Sequence, residues 1–325
     1  MRPHCPSGSC HRFRGSRWLL LAGLLVIAGW ELARAETVIR NGFQITDPLI
    51  PVAEILSGGP PRDGIPPLDK PQFVTVAETE LVGPEHAILG LEIAGEAKAY
   101  PIFILNWHEI VNDTVGGVPV TVSYCPLCGS GTAFRRDFQG KPGTFGVSGL
   151  LYNSDLLMYD RETESLWSQM LGQAVSGPRK GERLEALPVT YTTWAEWRAQ
   201  HSESLVLSSE TGFRRDYTRS PYGNYDENGT IIFQISFRSK AFHPKERVLG
   251  VEVAGSFKAY PFAELAKVNS PLHDQIGETE IVLNFDADSR SGNVHLRNAQ
   301  PLPAINAFWF AWYAFHPDTA VFRTE

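Results

Sequence analysis

The sequence predicts an α+β fold that is dominated by β-structure: two unequal copies of an antiparallel β-unit with short helices, arranged like a sandwich or a barrel. Three observations lead to this prediction. A long pattern occurs twice in the chain, short segments alternate apolar and polar residues with the period of a strand, and Gly, Asn and Asp separate these segments as they do in tight turns.

The duplication is the strongest of these observations. The fourteen residues 88–101 recur as 248–261, with nine identical positions and three exchanges between aliphatic residues. A second pattern, Trp194-x-x-Trp197-x-x-x-His201, recurs as Trp309-x-x-Trp312-x-x-x-His316. Matches that keep the same order along the chain indicate an internal repeat.

The two copies are expected to superpose over 88–136 and 248–297. Lys98 then matches Lys258, and Asp113 matches Asp274 after a slip of one residue. Residues that both copies keep are interpreted as packing residues. Residues that only one copy has are candidates for function.

Local patterns predict the elements of the first copy. Two strands meet at a tight turn at Ala94 and Gly95, a short helix covers 101–109, and a half-buried strand runs over 118–124. Thr192 or Thr193 caps a helix that carries the first Trp pair. The apolar run 304–315 is predicted to be a buried helix.

The chain divides into five segments, with the two repeats packed as one domain. They are a signal peptide (1–35), an N-terminal extended segment (36–87), repeat one with the cysteine pair (88–207), a polar, aromatic connector (208–247) and the shorter repeat two (248–325).

The N-terminus has the pattern of a secretory signal. Four Arg precede the apolar run 18–30, which ends at the small-x-small residues 33–35. The protein is therefore predicted to be exported, to the periplasm or the extracellular space. The alternative is an uncleaved N-terminal membrane anchor, and no later apolar run is long enough to span a bilayer.

Charge limits the partners. The first 35 residues carry five Arg and one Glu, so their removal takes the formal net charge from −7 to −11. An acidic protein of this kind is not expected to bind nucleic acid or anionic membrane.

Cys125 and Cys128 are the only cysteines left after such a cleavage, since Cys5 and Cys10 leave with the signal. A C-x-x-C turn can form a reversible disulfide, supply two thiolates to a metal, or act as a structural clip. The second copy has Asp286 and Ser289 at these positions, so the turn itself does not require cysteine.

His108 is the candidate partner of the two thiols, either as a base or as a third ligand to copper or zinc, because the second copy has no His at this position. His201 and His316 occur in both copies and are interpreted as structural.

Further side chains are candidates for a pocket around the cysteines. They are Tyr124, Ser148, Asn153, Arg161, Trp167 and Gln169. We expect His108, Ser148, Asn153, Arg161 and Trp167 to lie nearer to Cys125 than the duplicated Glu92 and Lys98. The thiols themselves are predicted to be partly exposed to solvent, because Pro126 forces a turn and turns lie at the surface.

Six segments of the chain resemble one known family. They are 57–66, 106–113, 124–130, 145–149, 157–161 and 165–169. Together they are similar to the bacterial domain of unknown function 3179, over nearly the whole chain after residue 35. The resemblance implies a family but carries no activity with it.

The sequence therefore favours an exported thiol–disulfide or thiol-dependent redox protein that acts on a small molecule or a protein thiol, with Cys125 as the more reactive thiol, Cys128 as the resolving one and His108 as the base. One alternative is a copper or zinc protein that uses the Cys pair and His108. Another is a non-enzymatic carbohydrate- or protein-binding module in which the pair is a structural clip. Whether the protein is an enzyme stays open at this point.

Overall fold

Strands account for 42% of the residues and helices for 11% in a computed structural model of the protein, which describes residues 36–138 and 140–324. The prediction of a β-dominated α+β fold is confirmed. The sheets are antiparallel for the most part, and none of those described closes into a barrel. The predicted signal peptide and the alternative anchor, 1–35, lie outside the described residues.

The strands and the helix predicted for the first copy are present in the predicted order, and four strands precede them. The N-terminal segment contains β1 (Thr37–Arg40), β2 (Phe43–Thr46), β3 (Leu56–Ser57) and β4 (Phe73–Val74). The first copy begins with β5 (Ala87–Ile93), β6 (Glu96–Pro101), α1 (Ile102–His108), β7 (Ile110–Val115), β8 (Val118–Cys125) and β9 (Ser130–Arg135).

An insertion found only in the first copy follows β9. It contains β10 (Asp137–Phe138), β11 (Lys141–Pro142), β12 (Phe145–Tyr152), β13 (Asp155–Asp160), β14 (Leu166–Ser168) and β15 (Gln173–Ser176), and β16 (Ala186–Leu187) follows it. The copy ends with β17 (Thr190–Thr193), α2 (Trp194–Gln200) and β18 (Leu205–Leu207). The connector 208–247 contains no helix and no strand up to its last residue, where the next strand begins.

The second copy lacks the insertion. Its elements are β19 (Arg247–Val253), β20 (Ser256–Pro261), α3 (Phe262–Leu265), β21 (Leu272–Ile276), β22 (Thr279–Asp286), β23 (Ser291–Leu296), β24 (Pro301–Leu302), β25 (Ala304–Phe308), α4 (Trp309–Phe315) and β26 (Ala320–Val321). The run 304–315 is therefore a strand followed by a helix. The prediction of one helix over this run was wrong in its first five residues, where β25 pairs with both β19 and β9.

The two copies share one strand order, which confirms the predicted repeat of the β-unit. In the first, the order is β17-β5-β6-β18, and in the second it is β25-β19-β20-β26. The last strand of each set is parallel to its neighbour and the other pairs are antiparallel. Lys98 lies opposite Leu91, and Lys258 lies opposite Val251, in the same register of the two hairpins.

The copies also repeat a packing detail. Gly90 lies under the ring of Trp197, and Gly250 lies under the ring of Trp312, so close that a Cβ atom at either glycine would overlap the indole. Each indole donates a hydrogen bond to a hydroxyl seven residues later, Ser204 at 2.9 Å and Thr319 at 3.0 Å. The duplicated Trp pattern thus serves packing.

One eight-stranded sheet joins the copies. It contains β26, β20, β19 and β25 of the second copy beside β9, β8 and β7 of the first, with β16 paired to β9. Four strands of the insertion form a separate sheet with β3 of the N-terminal segment, in the order β15-β14-β13-β12-β3. The turn between β8 and β9 faces this insertion sheet, and that placement creates the site. No helix among the described residues is long and apolar enough to cross a membrane.

Candidate metal centre

The two thiols lie on the turn between β8 and β9. The amide of Cys128 donates to the carbonyl of Cys125 at 3.2 Å, and neither cysteine forms a disulfide. Gly129 completes the turn with a φ of +59°, a conformation that suits glycine. The equivalent turn in the second copy runs from Asp286 to Arg290, whose φ is +52°.

The second-copy turn achieves the same shape without sulfur. The backbone amide and the hydroxyl of Ser289 both donate to the Asp286 carboxylate at 2.7 Å, and Asp286 is exposed to solvent. Asp286 and Ser289 stand where Cys125 and Cys128 stand in the first copy. The second copy thus forms this turn with polar side chains, so the turn does not require cysteine.

The thiols are buried, with 1% of Cys125 and 0% of Cys128 exposed. The prediction of partly accessible thiols was therefore wrong. The turn is at the surface of its own β-unit, but the connector and the second copy cover it, and the cysteines share an apolar core with Tyr225, Ile235 and Phe308. The amide of Phe308 donates to the carbonyl of Cys128 at 2.8 Å, and this hydrogen bond ties the second copy to the cysteine turn.

Asp155 is the third donor beside the thiols. Its carboxylate oxygen and the Sγ atoms of Cys125 and Cys128 all lie within 4.8 Å of one another. Asp155 begins β13, directly after a two-residue hairpin turn in which Asn153 and Ser154 have φ angles of +51° and +67°. This hairpin belongs to the insertion, and it places the carbonyl of Ser154 3.9 Å from Cys125 Sγ.

Neighbouring polar groups orient the Asp155 carboxylate. The backbone amide of Met170 donates to one oxygen at 3.0 Å, and the hydroxyl of Ser130 lies 3.2 Å from the other. The same hydroxyl lies 2.9 Å from Gln169 Oε1, while Gln169 Nε2 donates to the Ser130 carbonyl at 3.1 Å. Such outer contacts are typical of carboxylates that are held for binding a cation.

Burial disfavours the ionised forms of this group of acids. Desolvation raises the pKa of both thiols, and it raises the pKa of Asp155 to about 7, although hydrogen bonds from Met170 and Ser130 act in the opposite direction. Burial also raises the pKa of nearby Glu109 to about 7. Four acids therefore lie in one buried region, where desolvation opposes the ionised form of each.

One buried amine lies close to the acids. Lys245 Nζ stands 2.9 Å from the centroid of the Tyr225 ring and within 5.2 Å of the rings of Phe308 and Phe310, an aromatic setting that stabilises a cation. Burial lowers the pKa of Lys245 to about 8, and the charges of Cys128 and Cys125 raise it in turn.

A family model described as "Protein of unknown function (DUF3179)" matches residues 62–298. The chain belongs to the DUF3179 family. The matched region contains Cys125, Cys128, Asp155 and the buried acid and amine beside them. No curated protein matches the chain, and no solved structure matches it.

The segments that carry the DUF3179 resemblance meet around the insertion sheet. Gly58 donates to the Gly149 carbonyl and Asp63 to the Val147 carbonyl, both at 2.8 Å. The side chain of Asn112 donates to the carbonyl of Phe145 and accepts from its amide, at 2.8 and 3.0 Å. Segments that are far apart in sequence thus hold the hairpin that delivers Asp155.

Four of the residues predicted for the pocket share the strand, the apolar core or the hydrogen-bond network of the cysteine site. Tyr124 precedes Cys125 in β8, and Trp167 belongs to the same apolar core as the cysteines. Asn153 lies in the hairpin turn before Asp155, where it donates to the Ala314 carbonyl and accepts from Ser236. Gln169 reaches the site through Ser130.

His108, Ser148 and Arg161 have other partners. The two ring nitrogens of His108 lie 2.7 Å from the Pro66 carbonyl and 2.6 Å from the Tyr217 hydroxyl, and burial lowers the pKa of the ring. The structure therefore gives Asp155, and not His108, as the third donor at the thiols.

Ser148 and Arg161 belong to the frame of the insertion. The hydroxyl of Ser148 donates to the Leu157 carbonyl and accepts from the Leu150 amide at the irregular step of the β12–β13 ladder. The side chain of Arg161 is one-third exposed and pairs with Asp63 at 3.0 Å. Neither residue contacts the cysteines through these groups.

Sequence reasoning missed Asp155 as a donor, and it missed Glu109, Tyr225 and Lys245. Asp155 lies in a segment that only the first copy has, so the comparison of the two copies could have singled it out. Tyr225 and Lys245 lie in the connector, where no period or motif indicates which side chains fold back onto the turn.

Proposed function

We propose that this DUF3179 protein binds a thiophilic metal ion, Zn²⁺ or Cu⁺, through Cys125, Cys128 and Asp155. The observation that carries the proposal is the approach of the three donor atoms to within 4.8 Å of one another in a buried site. Thiolates are the ligands that zinc and copper(I) prefer, and a carboxylate is a regular third ligand of zinc.

Electrostatics supports a cation at this place. Burial disfavours the ionised forms of the three donors as long as no cation is present. A metal ion removes that penalty by pairing with the anions, so that binding releases protons from the thiols. Three protein donors leave a fourth position on zinc for a further ligand.

Elemental analysis of the purified full chain tests the proposal. We expect about one Zn or Cu per chain after incubation with either ion, and a loss of most of this metal in the Cys125→Ser, Cys128→Ser and Asp155→Asn variants. The matched controls are Asp286→Asn and Ser289→Ala, which change the equivalent turn of the second copy and are expected to leave the metal content unchanged. Equal metal content in all five variants would rule the site out.

A second candidate is thiol–disulfide exchange, and one observation favours it: the Asp155 carboxylate is within hydrogen-bonding reach of both thiols. In this reaction Cys125 and Cys128 lose two electrons and two protons, one S–S bond forms, and a partner disulfide is reduced to two thiols. Asp155 then serves as the group that accepts one proton, in place of His108.

Thiol counting separates the two candidates. In a chain with Cys5→Ser and Cys10→Ser, a metal protein keeps two free thiols after chelation and regains its metal. An exchange protein instead converts to a disulfide form that a dithiol reverses. A chain that neither holds metal nor forms the disulfide would leave the structural clip.

We further propose that the protein meets its metal outside the cytoplasm, since residues 1–35 have the pattern of a secretory signal. Cell fractionation tests this, with the chain expected in the periplasmic or extracellular fraction and shortened by about the length of that segment.

A further inference from the structure

A cleft of about 540 Å³ opens beside the cysteine turn. Most of its wall is apolar, and the apolar side chains come from the insertion hairpin, the connector and the turn itself. They include Leu127, Val147, Leu151, Leu156, Ile232 and Phe233. The volume is in the range of sites that hold small organic molecules.

The cleft has one buried acid in its wall. Glu109 ends α1 with a φ of +58°, and only 5% of its surface is exposed. Its carboxylate accepts a hydrogen bond from the Tyr222 hydroxyl at 3.1 Å, and among the described residues no Lys, Arg or His side chain lies within ion-pair distance of it. An anion in such a place lacks the opposite charge that a buried carboxylate normally has.

The cationic side chain of the cleft lies at its mouth. Arg215 is exposed, and its guanidinium stands 5.6 Å from the centroid of the Trp107 ring. Pro221 and Ile232 are also exposed and form the rim with it. The polarity thus runs from a positive, solvated mouth to a buried acid.

We propose that the cleft binds a small organic cation, an apolar body that carries one protonated amine, with the amine paired to Glu109. The apolar walls match the body, and the amine supplies the charge that the carboxylate lacks. A neutral molecule of the same shape leaves Glu109 unpaired, and a carboxylate places like charges together. Leu127 lies between the two cysteines, so the occupant contacts the cysteine turn, but the proposal does not depend on a bound metal.

Three probes of equal shape test the proposal: 4-phenylbutylamine, 4-phenylbutanol and 4-phenylbutanoate. Calorimetric titration of the full chain at pH 7 is expected to give a Kd for the amine at least about tenfold lower than for the alcohol, and no measurable binding of the carboxylate. Glu109→Gln keeps the shape of the wall and is expected to abolish the preference for the amine.

Two further variants keep the test decisive if Glu109→Gln does not fold. Ile232→Arg adds a positive charge at an exposed rim position and is expected to weaken amine binding about tenfold, while Glu92→Gln, away from the cleft, leaves it unchanged. Equal binding of amine and alcohol, an amine preference that survives Glu109→Gln, or tight binding of the carboxylate that Arg215→Ala removes would each overturn the proposal.

Discussion

The carboxylate of Asp155 lies beside the Sγ atom of Cys125, with the two ligand atoms less than 4.8 Å apart in a region that solvent does not reach. The two residues are thirty positions apart in sequence, on the turn of one hairpin and at the turn of another. This proximity is the basis of the proposed metal site, because a buried acid beside two buried thiols favours a cation over an exposed nucleophile.

The first prediction concerns thiol reactivity. In a chain with Cys5→Ser and Cys10→Ser, alkylation of the metal-free protein at pH 7 is expected to be at least about tenfold slower than that of free cysteine. Burial raises the pKa of both thiols, each pKa unit lowers the thiolate fraction about tenfold, and the cover must open first. In guanidinium both thiols should react at the free rate. Native-state reaction as fast as free cysteine would show that the thiols are accessible.

The second prediction is a pH dependence of stability. Glu109 has a folded pKa of about 7, raised by burial above its ordinary value of 4.5. The neutral acid is therefore fully present below about pH 4.5, and its contribution is lost as the pH rises through 7, by about 3 kcal/mol in total. Denaturant unfolding of the metal-free protein at pH 5 and pH 8 should show this loss, and Glu109→Gln should reduce it.

Glu264→Gln is the control for that experiment. Hydrogen bonds from Thr324 and Lys267 hold the pKa of Glu264 at about 2. Since this carboxyl stays ionised from pH 5 to pH 8, its replacement should not change the difference between the two values. An unchanged pH difference in Glu109→Gln would show that Glu109 ionises freely in the folded protein.

The third prediction concerns the packing of Phe308, from the second copy, against the cysteine turn at Gly129. A methyl group at position 129 would lie 2.9 Å from the Phe308 ring, and the alanine that carries it would have to adopt the positive φ of Gly129. Gly129→Ala is therefore expected to lower the free energy of unfolding by about 3 kcal/mol, part from backbone strain and part from overpacking. Gly255→Ala has a similar φ with open space around it, so it should cost about 1 kcal/mol. Equal losses in thermal or denaturant unfolding would mean that Phe308 does not press on the turn.

The fourth prediction compares the two copies. Lys98 Nζ lies 3.1 Å from both oxygens of Asp113, which also accepts from the Tyr100 hydroxyl at 2.7 Å, and the pair is less than one-tenth exposed. Asp113→Asn should cost about 3 kcal/mol, because it leaves a buried ammonium without its partner. The equivalent pair of Lys258 and Asp274 is about twice as exposed, so Asp274→Asn should cost less. A larger loss from Asp274→Asn would contradict this order.

The repeat was predictable from sequence because packing preserved it. Gly90 and Gly250 must remain glycine under an indole ring, and Lys98 and Lys258 must face an aspartate, so the pattern survives in both copies. The cysteine pair was also found, since Asp286 and Ser289 show what the turn requires without it.

The burial of the cysteine pair and the position of Asp155 beside it could not be derived in the same way. Phe308 belongs to the second copy and Tyr225 to a connector without regular structure, and no local pattern indicates that they cover the turn of Cys125. The position of Asp155 depends on the hairpin turn at Asn153 and Ser154, which is a tertiary relationship between two sheets. The sequence therefore identified the cysteine pair, but it predicted partly exposed thiols where the structure has buried ones.

X-ray absorption at the edge of the bound metal tests the proposed centre most directly. For the full chain loaded with Zn²⁺ we expect two sulfur ligands at about 2.3 Å and the remaining ligands oxygen or nitrogen at about 2.0 Å. A protein that takes up no metal, or a spectrum without sulfur ligands, would contradict a metal centre built from Cys125, Cys128 and Asp155.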